Sequence, residues 1–212
     1  MINWYPGHMA KAKRRLKEDL RMIDMVVEIL DARIPFSSRN PDLDKLLDEQ
    51  KRVVVLNKMD LAAKKVTENW INYFKESDHV VAINARDGMG ISSLMEKINN
   101  LHYKLMKKAK EKGRQNKDVK IMVIGIPNVG KSALINSIGG SSSAKTGDRP
   151  GVTRGEQWIK VKKNIRLLDT PGILWPRLDN DDIAYKLAIT AAIDSDRYDS
   201  ETAAYRLIKY VL

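Results

Sequence analysis

Two glycines, a lysine and a serine stand at fixed spacing in Gly125-Ile126-Pro127-Asn128-Val129-Gly130-Lys131-Ser132, directly after the apolar run Ile121 to Ile124. The glycines let the backbone curl so that successive N–H groups face one point and attract phosphate oxygens. A helix expected from Ala133 to Ile138 would aim its positive end at the same charge. In this pattern Asn128, Val129, Gly130 and Ala133 line the cradle, and Lys131 reaches the β- and γ-phosphates. The Ser132 hydroxyl ligates Mg²⁺. An ordinary glycine turn between a strand and a helix would need neither the lysine nor the serine. The stretch predicts a nucleotide site.

A second group, Asn57-Lys58-Met59-Asp60, follows the apolar run Arg52 to Leu56. Guanine presents an N1–H and an exocyclic amine side by side, and the Asp60 carboxylate would accept from both. Adenine offers no such donor pair, and an ionised acceptor left unpaired costs about 1–3 kcal/mol or more. Asn57 would tie this loop to the phosphate loop, and the stem of Lys58 would cover the flat base. Asn84-Ala85-Arg86 ends a third apolar run, Val80 to Ile83. Its backbone N–H groups suit the guanine O6, although a plain strand-to-turn junction reads the same way.

Two later segments complete the set. Thr153, in Gly147-Asp148-Arg149-Pro150-Gly151-Val152-Thr153, is positioned to give Mg²⁺ a second hydroxyl when a γ-phosphate is present. In Asp169-Thr170-Pro171-Gly172, Asp169 would hold Mg²⁺ through a water and the Gly172 N–H would bond the γ-phosphate.

These groups must be positioned by alternating strands and helices. Met25–Leu30, Arg52–Leu56, Val80–Ile83, Ile121–Ile124, Gln157–Val161 and Ile165–Leu168 read as strands. Most are continuously apolar, as buried parallel strands are. Helical periodicity predicts an amphipathic helix over 8–23, a short one over Asp42–Glu49, and others over Trp70–Lys75 and Ile91 to about Lys112. Two more are expected over Asp179–Ile193 and Ser200–Val211, while Pro35, Ser37, Ser38 and Pro41 predict a loop. Ligands of parallel α/β sheets bind at the C-terminal ends of the strands, where these motifs fall.

The 212 residues include no cysteine, which leaves no disulfide framework and suits a reducing compartment. No apolar run approaches a membrane span, and the N-terminus has no signal-peptide core, so a cytoplasmic protein without stable membrane association is expected. The net charge of +11 points to a polyanionic partner, and Lys11, Lys13, Arg14 and Arg15 supply one dense cluster. The cluster reads equally well as a solvated helix face.

The guanine-reading groups precede the phosphate loop, Thr153 and Asp169-Thr170-Pro171-Gly172, the reverse of the usual order. The expected fold is therefore α/β: a P-loop GTPase three-layer fold with circularly permuted motif order, plus the start of a helical C-terminal extension. The division expected is 1–178 for the GTPase domain and 179–212 for the extension. Anything after residue 172 then hangs directly on the loop that senses the γ-phosphate.

With Trp4-Tyr5-Pro6-Gly7-His8-Met9, Asp31-Ala32-Arg33-Ile34-Pro35, GIPNVGKS, RPGVT and DTPGILWP, the chain resembles the YlqF/RbgA-type ribosome-biogenesis GTPases over residues 1 to about 178. The resemblance implies GTP hydrolysis, slow alone and stimulated by the ribosome, coupled to assembly of the bacterial large ribosomal subunit. GTP and GDP, the large-subunit precursor and rRNA are the implied partners of a monomer. A helical C-terminal domain is also implied, of which only about 35 residues are present here. Where many GTPases carry a water-orienting glutamine, this chain has Ile173. One reading is a poor hydrolase acting as a binding switch. The resemblance implies another, in which a group from elsewhere catalyses: His8, with Asn128 and Lys131 beside the phosphates and Asn128 holding K⁺. A GTP-gated RNA- or membrane-binding module with incidental hydrolysis is the alternative function.

Overall fold

The computed structural model describes residues 14–41, 43–47, 51–76, 79–111, 113, 118–139, 157–162, 164–170 and 180–212. Residues 14–20 form helix α1. The chain then runs through β1 (Met25–Asp31), α2 (Pro35–Ser38), α3 (Leu43–Leu46), β2 (Lys51–Asn57), α4 (Lys64–Lys75), β3 (His79–Ala82) and α5 (Ile91–Glu111). It continues with β4 (Val119–Gly125), α6 (Lys131–Gly139), β5 (Gln157–Lys162), β6 (Ile165–Asp169), α7 (Asp181–Ile189) and α8 (Ser200–Val211).

The six strands form one sheet in the order β3-β2-β1-β4-β6-β5. All neighbours are parallel except β5, which lies antiparallel on the edge beside β6. Alternation along the strands divides the core in two. Met25, Val27 and Ile29 of β1 face a cluster with Leu94 and Ile98 of α5, Leu134 of α6 and Leu187 of α7. Val26 faces the other way, onto Leu16 and Leu20 of α1 and Leu43 of α3. Leu30 on that same side meets Phe74 of α4. Helices thus cover both faces, and this is the three-layer α/β arrangement.

Glu28 is buried in the middle of β1 at 1% exposure. Burying a carboxylate is costly unless it is paired. Here Oε2 lies 3.6 Å from Arg52 on β2, and Oε1 accepts from the Asn40 N–H at 3.3 Å.

Several boundaries differ from the sequence reading. The expected loop after β1 contains the helical turn α2, held because the Ser38 hydroxyl accepts from Asp31 N–H and donates to Ile34 O. Helix α4 begins at Lys64, well before Trp70. Helix α7 ends at Ile189, before Ile193, in a turn where Ala191 takes the left-handed conformation at φ +62°. The helix expected over 8–23 is described from residue 14 and gives way to a turn at 21.

Candidate nucleotide site

Because β1, β2, β3, β4 and β6 are parallel, the loops after all five leave the same edge of the sheet. Asp31 lies level with Asn57, Ile29 with Gly125, and Val123 with Asp169. The sheet alone therefore brings the guanine-type motif, the phosphate-type loop and the aspartate to one place.

The loop from Gly125 to Lys131 turns through left-handed conformations at Asn128 (φ +55°) and Gly130 (φ +103°). A side chain at Gly130 would collide with the Asn57 amide. At Gly125 an added Cβ would stand 2.7 Å from the Ile29 carbonyl oxygen, so the loop can leave β4 only through glycine. Lys131, 6% exposed at the start of α6, donates from Nζ to the carbonyls of Ile126 (2.9 Å) and Gly125 (3.2 Å). Burial pulls its pKa down to about 8, with Asp169 acting the other way. Ser132 and Ala133 follow in the first turn of α6 and are half-buried.

Asp169, at the end of β6, is 2% exposed. Burial raises its pKa, and the Lys131 charge and the Thr170 N–H oppose that rise. Thr170 donates its hydroxyl to Val123 O at 2.7 Å and pins this end of β6 to β4. Among the described residues, Asp169 Oδ1 is buried with no hydrogen-bond partner. A buried, unpaired carboxylate oxygen across from a lysine and the Ser132 turn is the donor chemistry that Mg²⁺ takes.

Asn57 joins the two halves of the site. Its Nδ2 donates to Val129 O at 2.7 Å, and its Oδ1 accepts from the Ala85 N–H at 2.9 Å. Lys58 then adopts a left-handed conformation (φ +60°), and Met59 N–H donates to Ile83 O. Asp60 stands exposed in the single 3₁₀ turn that follows. Asn84 is buried and closes its own turn by accepting from the N–H groups of Arg86 and Asp87.

Asp31 and Arg33 belong to this site, yet nothing in their sequence context assigned them a task. Asp31 takes Arg33 in a two-pronged grip, Nε at 2.9 Å and a terminal nitrogen at 2.7 Å, and holds Lys58 Nζ at 3.1 Å. Burial would raise the Asp31 pKa, but hydrogen bonding to Arg33 and the charges of Lys58 and Arg33 outweigh it and hold it low. Two positive side chains next to the guanine-type loop are thus fixed by one buried carboxylate. Removing one member of such a group leaves the others uncompensated. Asp31→Asn should cost about 3 kcal/mol of stability at pH 7. A carboxylate with a lowered folded pKa stabilises above its unfolded pKa and loses that contribution as pH falls through the folded value. The gap between wild type and variant should therefore begin to narrow only below about pH 4, the unfolded value, and close as pH falls through the lowered folded value. Denaturant melts in steps from pH 7 to about pH 2 check both statements, and a gap that does not narrow as pH falls below about 4 would count against them.

Asn128 donates from Nδ2 to the Ala191 carbonyl at 2.8 Å. Leu187, Ala192 and Ile193 lie in the same apolar cluster as β4 and α6, so the chain after α7 is bound directly to the phosphate-type loop. His8, Thr153 and Gly172 lie outside the described residues.

Residues 120–206 match the family described as 50S ribosome-binding GTPase. The "Ribosome biogenesis GTPase A" of Bacillus cereus is 47% identical over 209 residues, which cover 98% of this chain and 71% of that protein. The protein of the same name from Priestia megaterium is 44% identical over 212 residues, 99% of this chain and 74% of its own length. The chain belongs to the ribosome biogenesis GTPase A family. Its fold agrees. The crystal structure of GNP-bound YlqF from T. maritima superposes with a TM-score of 0.68 at 27% identity, covering 94% of this chain and 73% of that one. The chain is a GTPase, with the circularly permuted P-loop fold that its motif order requires. Among the described residues of this GTPase, no helix is long and apolar enough to cross a membrane.

Proposed function

We propose that this GTPase is a nucleotide-controlled switch in assembly of the bacterial large ribosomal subunit, working as a cytoplasmic monomer on a precursor particle and its rRNA. The observation that carries the nucleotide part is the pair of hydrogen bonds at Asn57, donated to Val129 O and accepted from Ala85 N–H, which fixes the base loop, the phosphate loop and the Asn84-Ala85 turn as one unit. Asp60 reads the guanine edge, the Ala85 loop faces O6, and Lys58, steadied by Asp31, lies along the base with Met59 beside it. Asn128, Val129, Gly130, Lys131, Ser132 and Ala133 surround the phosphates, and Gly172 meets the γ-phosphate. Ser132 and Thr153 would hold Mg²⁺, with Asp169 reaching it through a water, and the ion would supply positive charge to the β- and γ-phosphates.

Hydrolysis needs charge stabilisation more than covalent chemistry from the protein. Lys131 supplies a fixed positive charge to the transferring phosphoryl group. Asn128 would hold K⁺ beside the phosphates, a role that a faster rate in K⁺ than in Na⁺ at equal ionic strength would reveal. Ile173 cannot orient water, and His8 is the side chain assigned to that task. The GTPase unit runs past residue 178 to about Ile193, since Leu187, Ala192 and Ile193 share its core, and the helical extension begins near α8.

The experiment is co-sedimentation with large ribosomal subunits in GDP and in a non-hydrolysable GTP analogue, with turnover measured in parallel. Binding that favours the GTP form and stimulated hydrolysis are expected. By linkage the particle must then tighten GTP by the same factor. Equal binding in both nucleotides, with no stimulation, would overturn the switch.

A further inference from the structure

Away from the nucleotide edge, the outer face of β4, β6 and β5 carries a row of cations. Lys120, Arg166 and Lys160 are cross-strand neighbours, one on each strand, and so share that face. The next row on the same face is Met122, Leu168 and Trp158. Helix α1 covers Met122 and Leu168 with Leu16 and Leu20, and its cover stops short of Trp158, which is 42% exposed. Lys120 Nζ lies 5.8 Å from the centre of the Trp158 ring. Alongside, α1 and its closing turn expose Arg14, Arg15, Lys17 and Arg21.

The acidic groups nearby do not cancel this charge. Asp118 binds Arg166 at 2.6 Å, the Asp24 carboxylate takes the Lys120 backbone N–H, and Glu18 and Asp19 stand on α1 against its cations. Among the described residues, seven basic side chains thus meet four acidic ones around the exposed Trp158 indole. An antiparallel edge strand that presents an aromatic ring among cations matches what an unpaired stretch of RNA requires: stacking for a base, and positive charge for the phosphates on either side. An acidic protein would use the cations and leave the indole without a role. A membrane surface would call for several exposed apolar side chains here, and among the described residues Trp158 is the exposed one on these strands, with Met22 in the turn beyond α1.

We infer that the face formed by Trp158, Lys160, Arg166 and Lys120, flanked by α1, binds single-stranded RNA, with Trp158 stacking on one unpaired base. The inference rests on the ribosomal reading above and adds the surface on which RNA is met. Lys120 stands five residues before Gly125 on β4, about 16 Å along the strand, so RNA and nucleotide occupy the protein together.

The test uses the full chain, a fluorescent single-stranded oligoadenylate of about 12 nucleotides, and GDP affinity as the control for folding. Trp158→Ala should weaken RNA binding about tenfold and leave GDP affinity unchanged. Trp158→Phe, which keeps a stacking face, should stay within about twofold of wild type. Lys160→Gln should weaken binding and lower the salt slope by about 0.7, as loss of one single-strand phosphate contact does. Wild-type RNA affinity in Trp158→Ala would overturn the inference, as would equal or tighter binding of polyglutamate or phosphatidylserine vesicles at the same residues. Subunit co-sedimentation separates this from the ribosomal reading. Variants that bind RNA normally while subunits still pellet the protein refute the face alone. Variants that lose RNA while wild type never pellets with subunits support the face and refute the ribosomal role.

Discussion

Asp60→Asn should reduce GTP and GDP affinity by about 10²- to 10³-fold while leaving the fold intact. The size follows from loss of charge-assisted hydrogen bonds to the guanine edge, each about 1.5–3 kcal/mol, with a donor now facing the exocyclic amine. Asp60 is exposed, lies in a 3₁₀ turn, and among the described residues its carboxylate accepts no hydrogen bond, so stability should scarcely change. The variant should instead accept xanthosine diphosphate, whose ring carries an oxygen where guanine carries the amine. Competition binding with the two diphosphates decides it. Undiminished GDP affinity in the variant would remove Asn57-Lys58-Met59-Asp60 from base recognition.

Replacing Lys131 should have the second large effect. Lys131→Met should lower turnover by about 10²- to 10³-fold, as loss of a fixed charge at developing phosphate charge does. The free protein should tolerate the change well, because the ammonium is buried there against carbonyls and only Asp169 offsets the desolvation. Its pKa of about 8 makes the charge conditional. Between about pH 8 and the ordinary lysine value of 10.5, the unfolded chain holds more protons at this site than the folded one. Stability of the nucleotide-free protein from this group therefore rises with pH across that window. Nucleotide phosphates reverse the balance by favouring the charged lysine. GDP binding at pH 9 should take up a proton, and affinity should fall as pH rises past 8. Calorimetry in two buffers of different ionisation enthalpy measures the uptake. A buffer-independent enthalpy at pH 9, or uptake that survives in Lys131→Met, would exclude Lys131 as its source.

The sheet was largely legible in the sequence because buried parallel strands leave mostly apolar runs, four of which lead to polar, chemistry-bearing residues and a fifth to the first glycine of the phosphate loop. Most strand ends were short by one or two residues because polar terminal residues such as Asn57 and Asp169 continue the ladder, whereas β3 stops at Ala82, one residue before the expected Ile83. The start of α4 was hidden for a physical reason. Its cap residue, Ala63, makes no side-chain hydrogen bond, and its first turns are mostly exposed, including Val66. The end of α7 was hidden because Ala191 takes the left-handed position where glycine is the usual signal. The grip of Asp31 on Arg33 and Lys58 was invisible for a different reason. It joins residues 27 positions apart through a parallel pairing, and side-chain partners across a sheet leave no spacing rule in the chain.

The permuted motif order has a consequence for the nascent polypeptide. Strands β1, β2 and β3, with the loops assigned to the base, are complete before β4 has been translated. Roughly 70 residues separate Asn57 from Gly125 at the end of β4, which at typical rates take on the order of several seconds to synthesise. Throughout that interval β1, central in the finished sheet, is an edge strand with one side of its ladder unfilled. It is apolar over nearly its whole length, so it is the segment most exposed to pairing with the wrong neighbour. Arrival of β4 fills that edge and delivers the carbonyl that Asn57 binds. Closure of the sheet and birth of the phosphate cradle are one maturation event.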